Sequence, residues 1–145
     1  MSQFSVGDRD ILRAVAMEVA EVADLPIMSE RRDMWKRHNA LERVRPMILF
    51  FPEGSWRELL TDSEMTCEDA GARRVEWTLR SRLYQHEHFQ DDTVIEKEWV
   101  VGRSIHNTGW GLTAKHFRSS MATGAWKFDP VIKTHADLDK IKFPR

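Results

Sequence analysis

The stretch from residue 67 to residue 89, CEDAGARRVEWTLRSRLYQHEHF, constrains the fold more than any other part of the sequence. It contains no proline, and its apolar residues recur at the spacing of a helix face. A second apolar stripe falls nearly opposite the first. The stripes are Val75, Leu79 and Leu83 on one face and Trp77 and Tyr84 on the other. An ordinary surface helix needs one such stripe, so the pattern predicts a long helix with apolar contacts on two sides.

Before this helix, the sequence predicts two shorter helices and one strand. The first helix is capped by Ser5 or Asp8 and runs to about Ala23, and the second is capped by Ser29 and covers about 30–41. The uninterrupted apolar run MILFF at 47–51 is typical of a buried strand. A short helical turn is expected at 55–60.

After the long helix, the pattern changes to that of strands and turns. Strands are predicted at 93–101, 112–117 and 125–128, with a hairpin turn at Thr123-Gly124 between the last two. A capping box that starts at Thr134 predicts a last short helix. The predicted class is therefore α+β in a single domain, 1–145, with amino-terminal helices, one long central helix and a small antiparallel sheet in the carboxy-terminal third.

Composition excludes several classes of function. The 22 basic residues are balanced by 23 acidic ones, and no segment concentrates positive charge, so we expect no nucleic-acid partner. No apolar run reaches membrane length, so we expect no membrane partner. The single cysteine excludes an intrachain disulfide and is typical of a reducing compartment. These features predict a cytoplasmic protein.

Two patterns invite a chemical interpretation near the long helix. His86 and His88 are too far apart around a helix to share one metal ion, unless the helix frays there and a third ligand joins them. Cys67 precedes the helix, where the dipole lowers a thiol pKa, but Glu68 and Asp69 add negative charge beside it. We therefore expect solvated histidines and a structural cysteine.

Three further patterns are weaker. The sequence around Gly109 and Gly111 resembles a fragment of a phosphate loop but lacks the lysine and the following helix, so a tight turn or bulge is expected. Arginines on the long helix could bind an anion, although Glu76 offers them a partner. A hydrolase triad could be written from Ser55, Asp62 and His38, but no nucleophile elbow is present. The sequence thus predicts no catalytic residue, no cofactor site and no bound metal.

Several phrases together resemble the amino-terminal region of uroporphyrinogen decarboxylase-like proteins, a superfamily that includes corrinoid and methylcobamide methyltransferases. The phrases are RPMIL at 45–49, SWREL at 55–59, CED at 67–69 with RVEWTLRSRLY at 74–84, HFQDDTV at 88–94, GAWKFDPVIK at 124–133 and DLDKIKFP at 137–144. The resemblance covers nearly the whole chain from about Ile11 onward, and it lies in phrases rather than in a catalytic motif.

The resemblance implies mainly that this chain lacks the catalytic barrel of such proteins. In such proteins the chemistry belongs to a following (β/α)₈ barrel, and in the methyltransferase branch that barrel holds zinc through His and Cys. A chain of 145 residues is too short for eight βα units, so no catalytic residue is carried over. The chain is expected to be either a fragment of such a protein or a stand-alone relative of its amino-terminal domain.

The sequence therefore supports two hypotheses. The first is a non-catalytic accessory or docking domain whose partner is a uroporphyrinogen decarboxylase-like barrel, in cis or in trans, or a second copy. The second is a small ligand-binding domain or enzyme with an apolar pocket. The docking face predicted by the first hypothesis comprises Trp77, Tyr84, Ile141 and Phe143. The pocket of the second is lined by Trp99, Trp110 and Trp126.

Overall fold

Four α-helices and a two-stranded sheet make up the regular structure in the computed structural model, which describes residues 4–121 and 124–144. The helices are α1 (Val6–Ala23), α2 (Pro26–Asn39), α3 (Trp56–Leu59) and α4 (Ala70–His88), and the strands are β1 (Lys115–Arg118) and β2 (Trp126–Asp129). Short 3₁₀ turns occur at Glu53–Ser55, Asp62–Glu64 and His135–Lys140. The predicted α+β class is confirmed. The chain divides into two compact units, Met1–Trp99 and Val100–Arg145.

The first two helices begin and end at residues that suit their positions. The Ser5 side chain accepts a hydrogen bond from the backbone N–H of Asp8 (3.0 Å), which confirms Ser5 as the cap of α1. Helix α2 begins at Pro26, so the predicted start after a Ser29 cap is wrong. Proline suits the first helical position because its fixed φ matches the helix and the N–H that it lacks would have no partner there.

The core of the first unit lies between α1 and α4. It comprises Val15, Val19, Met28, Leu79 and Ile95, with Leu12, Val22, Val75 and Leu83 packed against it. Leu79 is buried, and Val75 and Leu83 are half-buried. The predicted buried stripe of the long helix is thus confirmed. It packs against the apolar face of α1.

Two segments of the first unit that were predicted as strands do not form them. Residues 47–51 and 93–99, all of which are described, contain no strand, and the chain beyond them to residue 101 contains none either. At 47–51 the apolar side chains are largely exposed, and Phe51 is 72% exposed. Its backbone hydrogen bonds go chiefly to the residues that follow α4. The sequence correctly predicted an apolar segment at 47–51, but no strand in the described part of the chain pairs with it.

The second unit contains the small antiparallel sheet. Strands β1 and β2 pair with Lys115 opposite Asp129 and Arg118 opposite Trp126. These strands confirm the prediction of two carboxy-terminal strands, displaced by a few residues. Thr123 of the predicted hairpin turn lies outside the described residues. The predicted capping box is present, with the Asp137 carboxylate accepting from the Thr134 N–H (2.8 Å), and it opens the 3₁₀ turn.

A tight turn precedes β1. Gly109 and Gly111 have φ values of 62° and 71°, which side chains with a Cβ rarely adopt. The Asn107 side chain accepts a hydrogen bond from the Gly109 N–H (2.7 Å), and the Trp110 carbonyl accepts one from the Lys142 N–H (2.8 Å). The expectation of a tight turn in place of a phosphate loop is confirmed.

Candidate functional site

Glu76 carries a carboxylate that is fully buried on α4. It accepts hydrogen bonds from the backbone N–H groups of Thr66 and Cys67 (2.9 Å each), from the Thr66 hydroxyl (2.8 Å) and from Arg80 Nε (2.9 Å). Burial raises the pKa of Glu76, but these hydrogen bonds together outweigh burial and lower the pKa to about 2. Glu76 is therefore ionised at neutral pH and holds the preceding loop against α4.

Asp8, on α1, also binds the backbone of the segment that precedes α4. Its carboxylate accepts hydrogen bonds from the backbone N–H groups of Glu68 (2.7 Å) and Asp69 (3.2 Å), and the first of these is the main reason why the pKa of Asp8 is lowered. Asp8 is buried even though it lies in the first turn of its helix. Asp8 of α1 and Glu76 of α4 thus hold the backbone of residues 66–69, the segment that leads into α4. Their role is structural.

Cys67 lies between these two carboxylates. Its side chain is 1% exposed, and burial followed by the negative charges of Glu76 and Asp8 raises the pKa of its thiol to about 12. The thiolate that a nucleophile requires is therefore absent at neutral pH. The expectation of a buried structural cysteine is confirmed.

Native protein is expected to leave Cys67 unmodified by a thiol-specific chromogenic reagent such as Ellman's reagent at pH 8. Both burial and the raised pKa suppress attack by the thiol. Absorbance should rise to one equivalent only after a denaturant is added. Rapid reaction of the native protein would contradict this assignment, and free cysteine at the same pH serves as the rate standard.

The other candidate chemical groups are not assembled into a site. Helix α4 continues through His88, so the frayed geometry that would let His86 and His88 share an ion is absent. His88 instead contacts the ring of Tyr84, with centroids 4.1 Å apart. No group of three or more His, Cys, Asp and Glu side chains within residues 4–121 and 124–144 is arranged to hold a metal.

The proposed triad residues have other partners. Asp62 forms an ion pair with Arg73 (3.0 Å), and His38 packs edge-on against Trp35, with ring centroids 5.5 Å apart. No hydrogen bond joins either of them to Ser55, and all three residues are described. These residues therefore form no hydrolase triad in this structure.

The arginines of α4 are also used within the protein. Arg80 pairs with Glu76, as its spacing of four residues predicts, and Arg73 donates to the backbone carbonyls of Met65 and Cys67 (3.0 Å each). Arg82 donates to the carbonyl of Glu96 (3.1 Å). Of the four arginines on α4 that could have bound an anion (Arg73, Arg74, Arg80 and Arg82), these contacts engage Arg73, Arg80 and Arg82 at three different places, so those three do not share an anion site.

Asp91 and Asp92 position the apolar segment 47–51. The Asp92 carboxylate accepts from the Ile48 N–H (2.8 Å) and from both terminal nitrogens of Arg45, and the Asp91 carboxylate accepts from the Phe50 N–H (3.0 Å). The hydrogen bond from Arg45 is the main reason why the pKa of Asp92 is lowered to about 2. The backbone N–H groups of Ile48 and Phe50 thus bond to acidic side chains rather than to the carbonyls of a neighbouring strand.

An aromatic cluster covers the second stripe of α4. Trp56 of α3 lies against Trp77 and Tyr84, with ring centroids 5.6 and 5.8 Å apart, and Phe89 lies 5.8 Å from Tyr84. Phe50 joins the cluster through Phe89, at 4.9 Å. Trp77 and Tyr84 are half-buried. Part of the predicted docking face is therefore occupied by residues of the first unit, and docking through the remainder stays a prediction.

A carboxy-terminal patch, defined here as Trp110, Phe128, Ile141 and Phe143, is an exposed apolar surface of the second unit. The rings of Trp110 and Phe143 have centroids 5.8 Å apart, and Phe143 is 85% exposed. Trp110, Phe128 and Ile141 line one groove of about 730 Å³, and every other lining residue is uncharged. Two of the four predicted docking residues, Ile141 and Phe143, belong to this patch.

The predicted tryptophan-lined pocket is present only in part. Trp110 lines the groove of the second unit, whereas Trp126 contacts His116 and Arg118 at a different surface of that unit. Trp99 belongs to the first unit, where the Arg82 guanidinium lies over its ring. The three tryptophans do not line this groove together.

Among the four buried carboxylates of the described residues, only Asp8 was assigned a structural role from the sequence, as a possible cap of α1. Glu76 was interpreted only as a partner for arginine, although it has helical spacing with Ala72 and Leu79 and so interrupts an apolar face. That interruption is the signal that could have identified it. No comparable signal distinguishes Asp8, Asp91 or Asp92 from ordinary capping and loop acids.

Within the described ranges, no helix combines the length and apolar character needed to cross a bilayer.

Comparisons with family models, with curated proteins and with solved structures find no match to this chain. The resemblance to uroporphyrinogen decarboxylase-like proteins therefore rests on the sequence phrases described above.

Proposed function

We propose that this chain is a non-catalytic accessory domain that docks onto a uroporphyrinogen decarboxylase-like barrel, in cis or in trans, through the carboxy-terminal patch. The observation that carries this proposal is the exposure of large apolar side chains throughout the second unit. No described residue of Val100–Arg145 is buried. The proposed location is the cytoplasm, in keeping with a single, buried thiol.

The physical argument concerns how little the second unit buries. A two-stranded hairpin is marginal in water unless its apolar face packs against something else. Both strands of this sheet are exposed along their whole length. Contiguous exposed apolar surface on a protein commonly marks an interaction site. A partner that covers the carboxy-terminal patch would supply the burial that the hairpin lacks.

The barrel is proposed as the partner because of the sequence resemblance. Residues 137–144, which contain Ile141 and Phe143, resemble the segment that leads into the barrel in these proteins. Two side chains of the first unit that could carry chemistry have structural roles instead, since Glu76 holds a loop and the Cys67 thiol is protonated. The accessory domain would thus cover a barrel or shape access to its mouth.

Titration calorimetry with a full-length uroporphyrinogen decarboxylase-like barrel protein from the same organism tests this proposal. Wild-type chain is expected to bind saturably, and Phe143→Ser is expected to weaken binding by about tenfold, as loss of a moderate interface hot spot does. Val101→Ser is the matched control, since Val101 is 83% exposed and lies outside the patch. Absence of binding, or equal loss in both variants, would contradict the proposal.

A second candidate function is supported by the groove itself. Its volume of about 730 Å³ suits a small apolar ligand that stacks on Trp110. The groove has no charged side chain among its lining residues to orient such a ligand. Ligand sites normally contain a few convergent polar groups, so docking is the better supported of the two functions.

A further inference from the structure

Along residues 47–51, residues whose backbone groups form hydrogen bonds alternate with residues whose backbone groups form none in the described part of the chain. Ile48 donates its N–H to Asp92 and accepts the Asp92 N–H at its carbonyl (2.8 Å each), and Phe50 donates its N–H to Asp91 (3.0 Å). Leu49 and Phe51 have no backbone partner in the described part of the chain. A period of two is the pattern of an extended strand whose one edge is paired and whose other edge is free.

The side chains of this segment suit a sheet that is larger than the one present. Residues 47–51 are apolar at every position, which is typical of a strand covered on both faces. Phe51 and Ile48 are nevertheless 72% and 60% exposed. An apolar edge of this kind is a template for pairing with another strand.

The flanking sequence specifies what kind of strand fits. Pro46 and Pro52 lie three residues on either side of Leu49, and beyond them lie Arg45 and Glu53, which carry opposite charges. An antiparallel copy of the same segment, centred on Leu49, would bring Arg45 of one chain towards Glu53 of the other. Arg45 pairs with Asp92 in its own chain, but its side chain is 52% exposed and so is open to a second carboxylate. A parallel copy would bring like charges together. Glu53 makes no ion pair in the described part of the chain.

We propose that the edge 47–51 pairs antiparallel with the same edge of a second copy of this chain, about a two-fold axis at Leu49. Odd-numbered residues would then face each other and exchange about six backbone hydrogen bonds. The assembly closes at two copies, because the opposite edge of each segment is already bonded to Asp91 and Asp92. This interface uses the first unit, and the inference does not depend on the docking function of the second.

Amide hydrogen exchange, followed by NMR over a dilution series, tests the alternation directly. The Ile48 and Phe50 amides are expected to be protected at every protein concentration, since their partners lie in the same chain. The Leu49 and Phe51 amides are expected to gain protection as the concentration rises, in step with a monomer–dimer equilibrium measured by sedimentation. A monomer at all concentrations, or fast exchange at Leu49 and Phe51 throughout, would overturn the proposal.

Two variants assign the dimer to this edge. Leu49→Pro removes an N–H that has no hydrogen-bond partner among the described residues, so the fold should survive and the dimer dissociation constant should rise by roughly tenfold or more. Glu53→Arg places like charges at both ends of the pairing and should raise the constant by about two- to fivefold, with Glu58→Arg as a control of equal charge change. Circular dichroism verifies that each variant is folded.

The other possible results for these variants also test whether the dimer forms through the edge 47–51. A wild-type dimer whose dissociation constant is unchanged by Leu49→Pro would place the interface elsewhere and overturn the proposal. If Leu49→Pro does not fold, the exchange pattern of the wild-type protein and the contrast between Glu53→Arg and Glu58→Arg still decide it. Equal effects of those two arginine variants would contradict the antiparallel register.

Discussion

Replacing Glu76 with alanine is expected to lower the free energy of unfolding by about 3–5 kcal/mol at pH 7. The substitution leaves the backbone N–H groups of Thr66 and Cys67 without their acceptor, and it leaves Arg80 without its ion-pair partner. Buried donors without an acceptor are costly because they lose water and gain nothing in return. Urea unfolding followed by circular dichroism measures the difference.

Glu87→Ala is the matched control for this substitution. Glu87 lies on the same helix and its side chain is 74% exposed, so removal of its carboxylate should change stability by less than about 0.5 kcal/mol. Equal stability of the Glu76 variant and the wild-type protein would show that the buried carboxylate does not hold the loop before α4.

The same substitution should alter the pH dependence of stability. The pKa of Glu76 falls from 4.5 to about 2 on folding, so its contribution is present above pH 4.5 and is lost as the pH falls towards 2. A shift of this size corresponds to about 3 kcal/mol. Asp92 also titrates in this range, since its pKa is lowered to about 2. The difference between wild-type protein and Glu76→Ala isolates Glu76, and it should shrink as the pH falls through this window.

Leu79→Ala is expected to cost about 2–5 kcal/mol, because Leu79 is buried where α4 packs against α1. Truncation removes buried methyl groups and leaves a cavity that neighbours such as Val15 and Val19 cannot fill completely. For a protein of this size, thermal unfolding should show a decrease of several degrees or more in the melting temperature.

Met17→Ala tests whether loss of a large apolar side chain from a helix is itself destabilising. Met17 lies on α1 and is 66% exposed, so its truncation should have little effect on the melting temperature. Similar losses from Leu79→Ala and Met17→Ala would contradict the assignment of Leu79 to the core.

The two proposed interfaces can be tested separately. The carboxy-terminal patch is probed by Phe143→Ser, and the edge 47–51 is probed by Leu49→Pro. A chain that self-associates through Leu49 and does not bind a barrel would support one proposal and contradict the other. Neither substitution touches the buried carboxylates that hold α4 in place.

Local features of the sequence were sufficient to predict the helices that frame the core. Ser5 caps α1 through a hydrogen bond to a residue three positions away, and Asp69 caps α4 in the same manner. The stripe of Val75, Leu79 and Leu83 repeats within one helix. These signals are visible in the sequence because both partners of each interaction lie within one or two helical turns.

The predicted strands show where local pattern is insufficient. β1 and β2 were predicted at nearly the right place because a short connection lets neighbouring strands pair. The segment 47–51 has a stronger apolar pattern, but it is bonded to Asp91 and Asp92, more than 40 residues later. A hydrophobic pattern indicates that a strand can form, whereas a strand also requires a partner with free backbone groups.

The sequence by itself determined helices α1 and α4 and the two strands of the second unit, since these depend on residue type and short spacing. Only the tertiary structure decided which surfaces are covered. Trp56 comes from a four-residue helix whose orientation no local pattern specifies, yet its ring covers Trp77 and Tyr84. Glu76 is buried and ionised because the loop at Thr66 and Cys67 happens to return over it. Burial and pairing depend on contacts between residues distant in sequence, and these exist only once the chain has packed.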